Sequence, residues 1–211
     1  MIRVIMVRHG ESHWNAEHRY QGQQDSGLTA LGRRQADHVA RLLHADGVRP
    51  VAIWSSDLPR AHDTATAFAD LVELPVSTDA RLREVDIGTW SGRRVTDVAR
   101  EHPEDVAAAA AGVDLRRGGG ETFAEVRDRV VAWLADVVAA RRADESHART
   151  QDPTVLAFSH GGTIRVAAAH AAGTPSPGHQ RMAAPTNCSR TELLVDGDRC
   201  ALAAYNLPLP S

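Results

Sequence analysis

Two histidines stand at the ends of short apolar segments, and each has a glycine beside it. His9 closes the segment that contains residues 4–7, and His160 closes the one that contains residues 155–158. Both segments are predicted to be buried strands, because they are short and apolar. The glycines allow a ligand to approach the backbone closely. An imidazole at such a strand end could attack an electrophile that carries negative charge, such as a phosphoryl group.

Positively charged residues accompany the first histidine. Arg8 precedes it directly, and Arg60 lies in the first turn after a second predicted strand. Phosphoryl transfer is catalysed mainly by positioning and electrostatics, and guanidinium forks suit phosphate oxygens. His160 could complete the cradle around the phosphoryl group. A leaving alkoxide also needs a proton donor, and Glu84, in a loop between strands, is the best-placed carboxylate.

The elements that carry these residues alternate between strand and helix. This alternation predicts an α/β fold, a three-layer α/β/α sandwich with a mostly parallel sheet. In such sheets ligands bind beyond the carboxyl ends of the strands, where the polar residues above are placed. The predicted strands cover residues 4–7, 51–54, a short segment beginning at 74, 155–158, and a hairpin of 191–195 with 200–205.

Local signals predict several helix ends and breaks. Thr29 and Asp57 are suited to cap the helices that follow them, and Thr122 with Glu125 has capping-box spacing. Helices are expected over about 94–111 and 122–142, with the glycine run 118–120 as a flexible break between them. The chain is predicted to be a single domain, 1–211, with a helical cap or insertion at about 93–142. Three further residues are predicted to be structural. Trp90 is expected to pack under the Glu84 loop, Glu11 to hold a loop through its carboxylate, and His179 to be a structural or surface histidine.

Composition excludes several classes of function. The 211 residues carry a formal net charge of −3, and all 24 basic residues are arginine. A nucleic-acid partner is not expected without a basic excess, and lysine Schiff-base chemistry is excluded. Two cysteines cannot form a disulfide framework. The apolar amino-terminal segment is too short for a signal peptide, and no run is long enough to span a membrane. A cytoplasmic protein without membrane partners is therefore expected.

Four motifs, in chain order, resemble those of the histidine phosphatase superfamily, the phosphoglycerate-mutase-like group. The resemblance extends from residue 3 to about residue 166. One motif alone is a weak signal, but four in the family's order are a specific one. The motifs are Arg8-His9-Gly10-Glu11 with Asn15, Ser55-Ser56-Asp57-Leu58-Pro59-Arg60-Ala61, Leu82-Arg83-Glu84 through Gly88-Thr89-Trp90-Ser91-Gly92, and Ser159-His160-Gly161-Gly162.

The resemblance implies a role for each matching residue. His9 would be phosphorylated on its imidazole, and Glu84 would act as general acid and base. Contacts to the phosphoryl group or to the pocket would come from the remaining matching positions, which are Arg8, Arg60, His160, Asn15, Gln21 and the backbone N–H of Gly161. The resemblance implies no metal and no cofactor, a small phosphorylated metabolite as substrate, and a homodimer as a possible assembly.

Four interpretations of the chemistry stay open. The first is a metal-independent phosphatase acting on sugar phosphates or phosphoglycerate-type esters, and the second is a cofactor-dependent phosphoglycerate mutase. The third is a metal-dependent hydrolase using His9 and His13, and the fourth is a non-catalytic phosphoester-binding protein. The phosphatase is favoured over the mutase because only 75 residues separate Glu84 from His160, which leaves little chain to close the pocket. The pair Arg116-Arg117, which could grip a substrate carboxylate, favours the mutase.

Overall fold

A six-stranded sheet forms the centre of the part of the chain that the computed structural model describes, residues 1–143, 153–197 and 199–208. Helices lie on both sides of this sheet. The strands are β1 Ile2–Arg8, β2 Pro50–Ser55, β3 Val76–Thr78, β4 Thr154–Ser159, β5 Arg190–Asp196 and β6 Arg199–Leu207. The helices are α1 His13–Ala16, α2 Ala30–Ala45, α3 Pro59–Val72, α4 Val95–Glu101, α5 Pro103–Ala111, α6 Phe123–Ala143 and α7 Gly161–Ala171.

The strand order brings three predicted site segments to one edge of the sheet. The order is β3-β2-β4-β1-β5-β6; the first four strands are parallel to one another, β5 is antiparallel to β1, and β6 is antiparallel to β5. Arg8 pairs with Ser159, and Ser55 pairs with Phe158. The carboxyl ends of β1, β2 and β4 therefore lie side by side. The predicted mostly parallel sheet is confirmed.

The side chains of β1 alternate between two apolar cores, one on each face of the sheet. Val4 and Met6 pack against α6 and α7, whereas Ile5 and Val7 pack against α2 and α3. This alternation follows from the period of two along a strand. Because both faces are covered by helices, β1 is apolar almost throughout, as is typical of a buried parallel strand. The predicted three-layer α/β/α sandwich is confirmed.

One predicted helix cap is confirmed and another is wrong. Thr29 Oγ1 accepts a hydrogen bond from the Gly32 N–H at 2.9 Å, as an N-cap does. Leu58, not Asp57, is the N-cap of α3, and its side chain makes no capping bond. The Asp57 carboxylate instead binds the Arg83 guanidinium, whose Nε lies 2.6 Å from Oδ1. The helix begins at Pro59, so Asp57 lies one residue before the cap position and its carboxylate binds Arg83 instead.

The segment between β3 and α6 differs from the prediction in two respects. The expected helix 94–111 is broken into α4 and α5, because Pro103 starts a new helix after the non-helical His102. The glycine run is not a flexible break, because the backbone of Gly118 packs against that of Gly88 and Ile87. Trp90 is buried beside this contact, as predicted.

Helix α6 is part of the core. Its buried face includes Val126, Val130 and Trp133, which pack in the same cluster as the sheet. The helix begins at the predicted capping box, in which the Thr122 N–H donates to Glu125 Oε2 at 2.9 Å. The division of the chain into one domain with an inserted cap stays a prediction. No helix in the described ranges combines the length and apolar composition needed to cross a bilayer.

We expect Gly118→Ala to destabilise the fold more than Gly119→Ala. Both glycines have positive φ, +58° and +82°, so alanine costs about 1–2 kcal/mol at either position. A Cβ at Gly118 would also lie 2.3 Å from the Ile87 carbonyl oxygen, whereas one at Gly119 meets no atom within 4 Å. The clash should add ~1–3 kcal/mol, measured as the difference in free energy of unfolding in urea. Equal losses in the two variants would contradict the close packing of this segment.

Candidate active site

A cavity of about 230 Å³ opens at the carboxyl ends of the parallel strands. Seven of the eight predicted site residues line it, and the eighth, His160, lies buried against His9 with its ring centroid 5.1 Å away. The structure therefore brings the predicted site residues together at one cavity. The seven lining residues are Arg8, His9, Asn15, Gln21, Arg60, Glu84 and Gly161.

The His9 ring is fixed in one orientation. Its Nδ1 lies 2.7 Å from the Gly10 carbonyl oxygen, which can only accept, so Nδ1 carries the proton. The other ring nitrogen, Nε2, then has a free lone pair. Burial lowers the pKa of His9 well below its usual value, and the charges of Arg60 and Arg8 lower it further. The site therefore holds a neutral imidazole with a nucleophilic nitrogen.

The His160 ring is buried and unpaired. Within the described residues neither of its nitrogens has a hydrogen-bond partner. Burial lowers the pKa of His160 well below its usual value, and the charges of Arg60 and Arg8 lower it further. Buried polar atoms without a partner are rare in native proteins, and they often mark a place that a ligand fills. A neutral His160 could donate one N–H to a phosphoryl oxygen.

Arg60 is fully buried at the start of α3 and is held by the loop before α2. Its Nη1 donates to the Gln24 carbonyl oxygen at 2.7 Å and to Asp25 Oδ1 at 2.9 Å. Its Nη2 donates to the Gly22 carbonyl oxygen at 2.8 Å. Nε has no partner in the described residues. The guanidinium is thus fixed on one side by the protein and has a donor left for an anion.

Arg8 is arranged in the same manner. Its Nη1 donates to the Pro185 carbonyl oxygen at 2.6 Å, and its Nε has no described partner. Burial lowers the pKa of Arg8, an effect that the negative charge of Glu84 opposes. Two rigid guanidinium groups with unused donors therefore face the cavity beside the nucleophile. This is the charge distribution that a phosphoryl group requires.

Glu84 lies at the amino terminus of α7. The Gly162 N–H donates to both carboxylate oxygens, at 3.0 and 3.1 Å, and the Val85 N–H donates to Oε1 at 2.9 Å. The positive end of the helix dipole adds to this stabilisation of the carboxylate. A Cβ on Gly162 would lie 2.3 Å from Glu84 Oε1, whereas one on Gly161 would meet only ordinary contacts from 3.7 Å. Gly162 is therefore the residue that must stay small.

Asn15 and Gln21 contribute amide groups to the cavity wall. The Ser12 hydroxyl donates to Gln21 Oε1 at 2.8 Å, and Asn15 Oδ1 accepts from Asn187 Nδ2 at 3.3 Å. Because both amide oxygens are engaged internally, their NH₂ groups are the atoms available to an anion. Asn187, which sequence reasoning missed, also donates to the His9 carbonyl oxygen at 2.9 Å and so joins the two loops.

Sequence reasoning also missed Arg129, which holds the Glu84 loop. Its Nη1 donates to the carbonyl oxygens of Arg81 and Arg83, each at 2.7 Å. Its Nη2 donates to the Glu84 carbonyl oxygen at 3.0 Å, and Nε pairs with Glu121 at 3.0 Å. One side chain from α6 thereby satisfies three carbonyls of the loop. A helical arginine 45 residues away in sequence gives no local signal of this role.

Other residues keep the structural roles predicted for them. Glu11 Oε1 accepts a hydrogen bond from Thr29 Oγ1 at 2.8 Å and so joins the loop after β1 to α2. His179 is buried and stacks on Phe123. Cys188 and Cys200 are free thiols, and Cys188 is buried.

The metal-hydrolase interpretation finds no geometric support. His13 is exposed and begins α1, whereas His9 lies before the helix, ahead of the N-cap Ser12. The two histidines therefore do not share a helix face. Among the described residues, no three His, Cys, Asp or Glu side chains come together as metal ligands.

A family comparison agrees with the geometry of the site. Residues 4–208 match the family model of the histidine phosphatase superfamily, branch 1. The chain belongs to this superfamily. It is 36% identical to the glucosyl-3-phosphoglycerate phosphatase of Mycolicibacterium vanbaalenii over 205 residues. That alignment covers 95% of this chain and 89% of the relative. It is 41% identical to the probable phosphoglycerate mutase GpmB of Citrobacter koseri over 136 residues, 64% of this chain and 62% of that relative.

Solved structures of the superfamily share the whole fold. A mycobacterial glucosyl-3-phosphoglycerate phosphatase in complex with VO3 has a TM-score of 0.88 at 32% identity, covering 99% of this chain and 100% of that chain. Bacillus stearothermophilus YhfR has a TM-score of 0.84 at 28% identity, covering 99% and 98%. The site residues of this histidine phosphatase family member therefore sit on the superfamily's common scaffold.

We expect His9 and His160 to stay neutral at pH values where a free histidine takes up a proton. A free histidine titrates near pH ~6.5, and burial next to arginines lowers the pKa of both rings in the folded chain. Below that pH the unfolded chain binds more protons than the folded one, so these two rings make stability fall as pH falls. NMR of histidine ring resonances, assigned with His9→Gln and His160→Gln, checks this. Titration of either ring at or above the free-histidine value would contradict the described electrostatics.

Proposed function

We propose that this protein is a metal-independent phosphatase that hydrolyses phosphomonoesters of small metabolites, of the sugar-phosphate or phosphoglycerate type, through a phosphohistidine. One observation carries the proposal: the His9 ring donates through Nδ1 to Gly10, which leaves Nε2 as a nucleophile beside the free donors of Arg8 and Arg60. A neutral nucleophile among fixed cations suits attack on a phosphoryl dianion.

In the first step His9 Nε2 attacks phosphorus and the bond from phosphorus to the ester oxygen breaks. Arg8, Arg60 and His160 hold the phosphoryl oxygens while negative charge develops on them. Glu84 in its protonated form gives its proton to the leaving alkoxide, and the Gly162 N–H stabilises the carboxylate that remains. The products of this step are the free alcohol and phosphorylated His9.

In the second step a water molecule resolves the phosphohistidine. Glu84, now a carboxylate, takes a proton from the water as its oxygen attacks phosphorus. The bond from His9 Nε2 to phosphorus breaks, which releases inorganic phosphate and restores the neutral ring and the protonated Glu84. The arginines and His160 supply the charge and donors that a metal ion supplies in other phosphatases.

The comparisons support a substrate of the phosphoglycerate type. The relative that aligns with nearly the whole chain and the solved structure both bear the name glucosyl-3-phosphoglycerate phosphatase. The substrate that such a name indicates is a phosphomonoester whose glyceryl portion also carries a carboxylate. We extend that substrate class, rather than that one compound, to this chain.

A phosphoglycerate mutase is the second candidate, because relatives named as probable phosphoglycerate mutases align with part of the chain. A mutase must keep water from its phosphohistidine and retain the intermediate. Of the short stretch between Glu84 and His160, α6 packs mainly in the core, and only its first residue, Phe123, is among the described residues of α6 that line the cavity. That arrangement favours hydrolysis. A non-catalytic protein would require the loss of a reacting group, and His9, Glu84 and His160 are all present.

Product analysis tests the proposed function. The protein is incubated with 3-phosphoglycerate and catalytic 2,3-bisphosphoglycerate, and separately with glucosyl-3-phosphoglycerate, with chelator throughout. We expect phosphate release to exceed isomerisation and to fall by several orders of magnitude in His9→Ala, because that variant lacks the nucleophile of the first step. Isomerisation at least roughly tenfold faster than phosphate release would establish the mutase instead. Activity that returns only with added zinc or magnesium would contradict metal independence, and no turnover in any arm would favour the non-catalytic protein.

A further inference from the structure

The outer wall of the cavity carries positive charge that the reaction steps above do not use. Five arginines and one carboxylate, Glu84, are among the described residues that line the cavity. Arg60 is paired with Asp25 and Arg19 with Glu17. The guanidinium groups that form no ion pair with any described residue are those of Arg8, which faces the phosphoryl position, and of Arg117 and Arg165.

Arg165 is fixed by hydrogen bonds from its Nε atom to backbone carbonyl oxygens. It lies on α7, and its Nε donates to the carbonyl oxygens of His179 and Met182 at 3.1 and 3.0 Å. This anchor directs the guanidinium to the cavity wall, where Phe123 and Ala184 are neighbours in the lining. Burial lowers the pKa of Arg165 and the charge of Arg117 lowers it further, whereas Glu84, which forms no ion pair with Arg165, opposes both effects. A partly desolvated cation near a second cation is unfavourable unless an anion joins them.

Arg117 reaches the same wall from the glycine segment. Its guanidinium carbon lies 4.9 Å from the centroid of the Phe123 ring, and the His179 ring stacks on Phe123 at 3.8 Å. Burial, with the charges of Arg165 and Arg117, lowers the pKa of His179 to about 4. The stack is therefore uncharged at neutral pH and supports Arg117 without adding a third cation. By contrast Arg116, the neighbour of Arg117, pairs with Glu125 on the surface.

We propose that Arg165 and Arg117 form a second anion subsite that binds the carboxylate of the substrate while its phosphoryl group lies against His9. This inference rests on the proposed function and adds the residues that select the substrate class. Guanidinium groups bind carboxylates in bidentate geometry, and a carboxylate between the two arginines removes their repulsion. The preferred substrate is thus a compact phosphomonoester with a carboxylate a few bonds from phosphorus, and esters without that second anion are poor substrates.

Two substrates that differ in the carboxylate test the subsite. kcat/KM is measured for 3-phosphoglycerate and for glycerol 3-phosphate with the wild-type protein, Arg165→Gln, Arg117→Gln and the control Arg116→Gln. The first two variants should lose roughly 10- to 100-fold on 3-phosphoglycerate, the size expected for a charge-assisted bond, and change less than about threefold on glycerol 3-phosphate. Arg116→Gln should change neither value. Equal losses on both substrates, or no loss on either, would overturn the subsite.

Arg165 also holds the 179–182 segment through Nε, so its removal could act through folding. Arg165→Lys keeps the cation without that anchor, and its thermal unfolding midpoint is compared with that of Arg165→Gln. If the subsite acts by charge, the lysine variant recovers much of the preference for 3-phosphoglycerate even where both variants lose the same stability. If preference follows stability instead, with no recovery in the lysine variant, the residue is structural and the subsite is wrong.

A binding measurement separates this inference from the proposed function. Titration calorimetry with His9→Ala gives the affinity for 3-phosphoglycerate and for glycerol 3-phosphate without turnover. We expect tighter binding of 3-phosphoglycerate, and loss of that difference when Arg165→Gln is added. If the wild-type protein hydrolyses neither ester but this difference holds, the proposed function fails and the subsite stands. Equal affinities in His9→Ala overturn the subsite whatever the turnover.

Discussion

The burial of positive charge around a neutral imidazole is the constraint on which this site depends. His9 is useful as a nucleophile only while its Nε2 is unprotonated, and burial together with the charges of Arg60 and Arg8 maintains that state by lowering the pKa of the ring. The same guanidinium groups bind the anion that the imidazole attacks. Holding such cations out of water requires partners, which the protein supplies as backbone carbonyl oxygens and, for Arg60, the Asp25 carboxylate. The loops around the cavity are therefore shaped by the arginines they hold.

The sheet and α6 solve two separate positioning problems. Parallel pairing of β1 with β4 sets His9 beside His160, since Arg8 and Ser159 are register partners. Glu84 belongs to no strand, and its loop is held by Arg129, which donates to three of its carbonyl oxygens, together with hydrogen bonds from the Ser159 and Thr163 hydroxyls. The nucleophile is thus positioned by backbone pairing, and the proton donor by hydrogen bonds from side chains and backbone N–H groups that lie mostly far away in the sequence. Precise distances between catalytic groups require both kinds of support.

Sequence patterns predicted what is local and missed what is distant. The apolar strands, the glycines after each histidine and the four motifs were enough to predict the fold and a set of candidate site residues that the structure brings together at one cavity. The roles of Arg129 and Asn187 could not be predicted, because their partners lie far away in the chain and no spacing marks them. The cap expected at Asp57 was wrong because the helix starts one residue later, with Leu58 at the cap position, and the Asp57 carboxylate binds a distant residue, Arg83. The glycine run was predicted to be a flexible break, because the local sequence does not indicate that it packs against Gly88, which lies 30 residues earlier.

Detection of a phosphoryl group on His9 during turnover tests the central claim most directly. The protein is mixed rapidly with substrate, quenched in base, in which phosphohistidine survives, and digested for mass spectrometry. The account predicts a transient, acid-labile phosphoryl group on the His9 peptide that forms and decays as fast as phosphate appears, and activity several orders of magnitude lower in His9→Ala. Steady turnover with no phosphoryl group on this peptide, or a His9→Ala variant that keeps near wild-type activity, would contradict it.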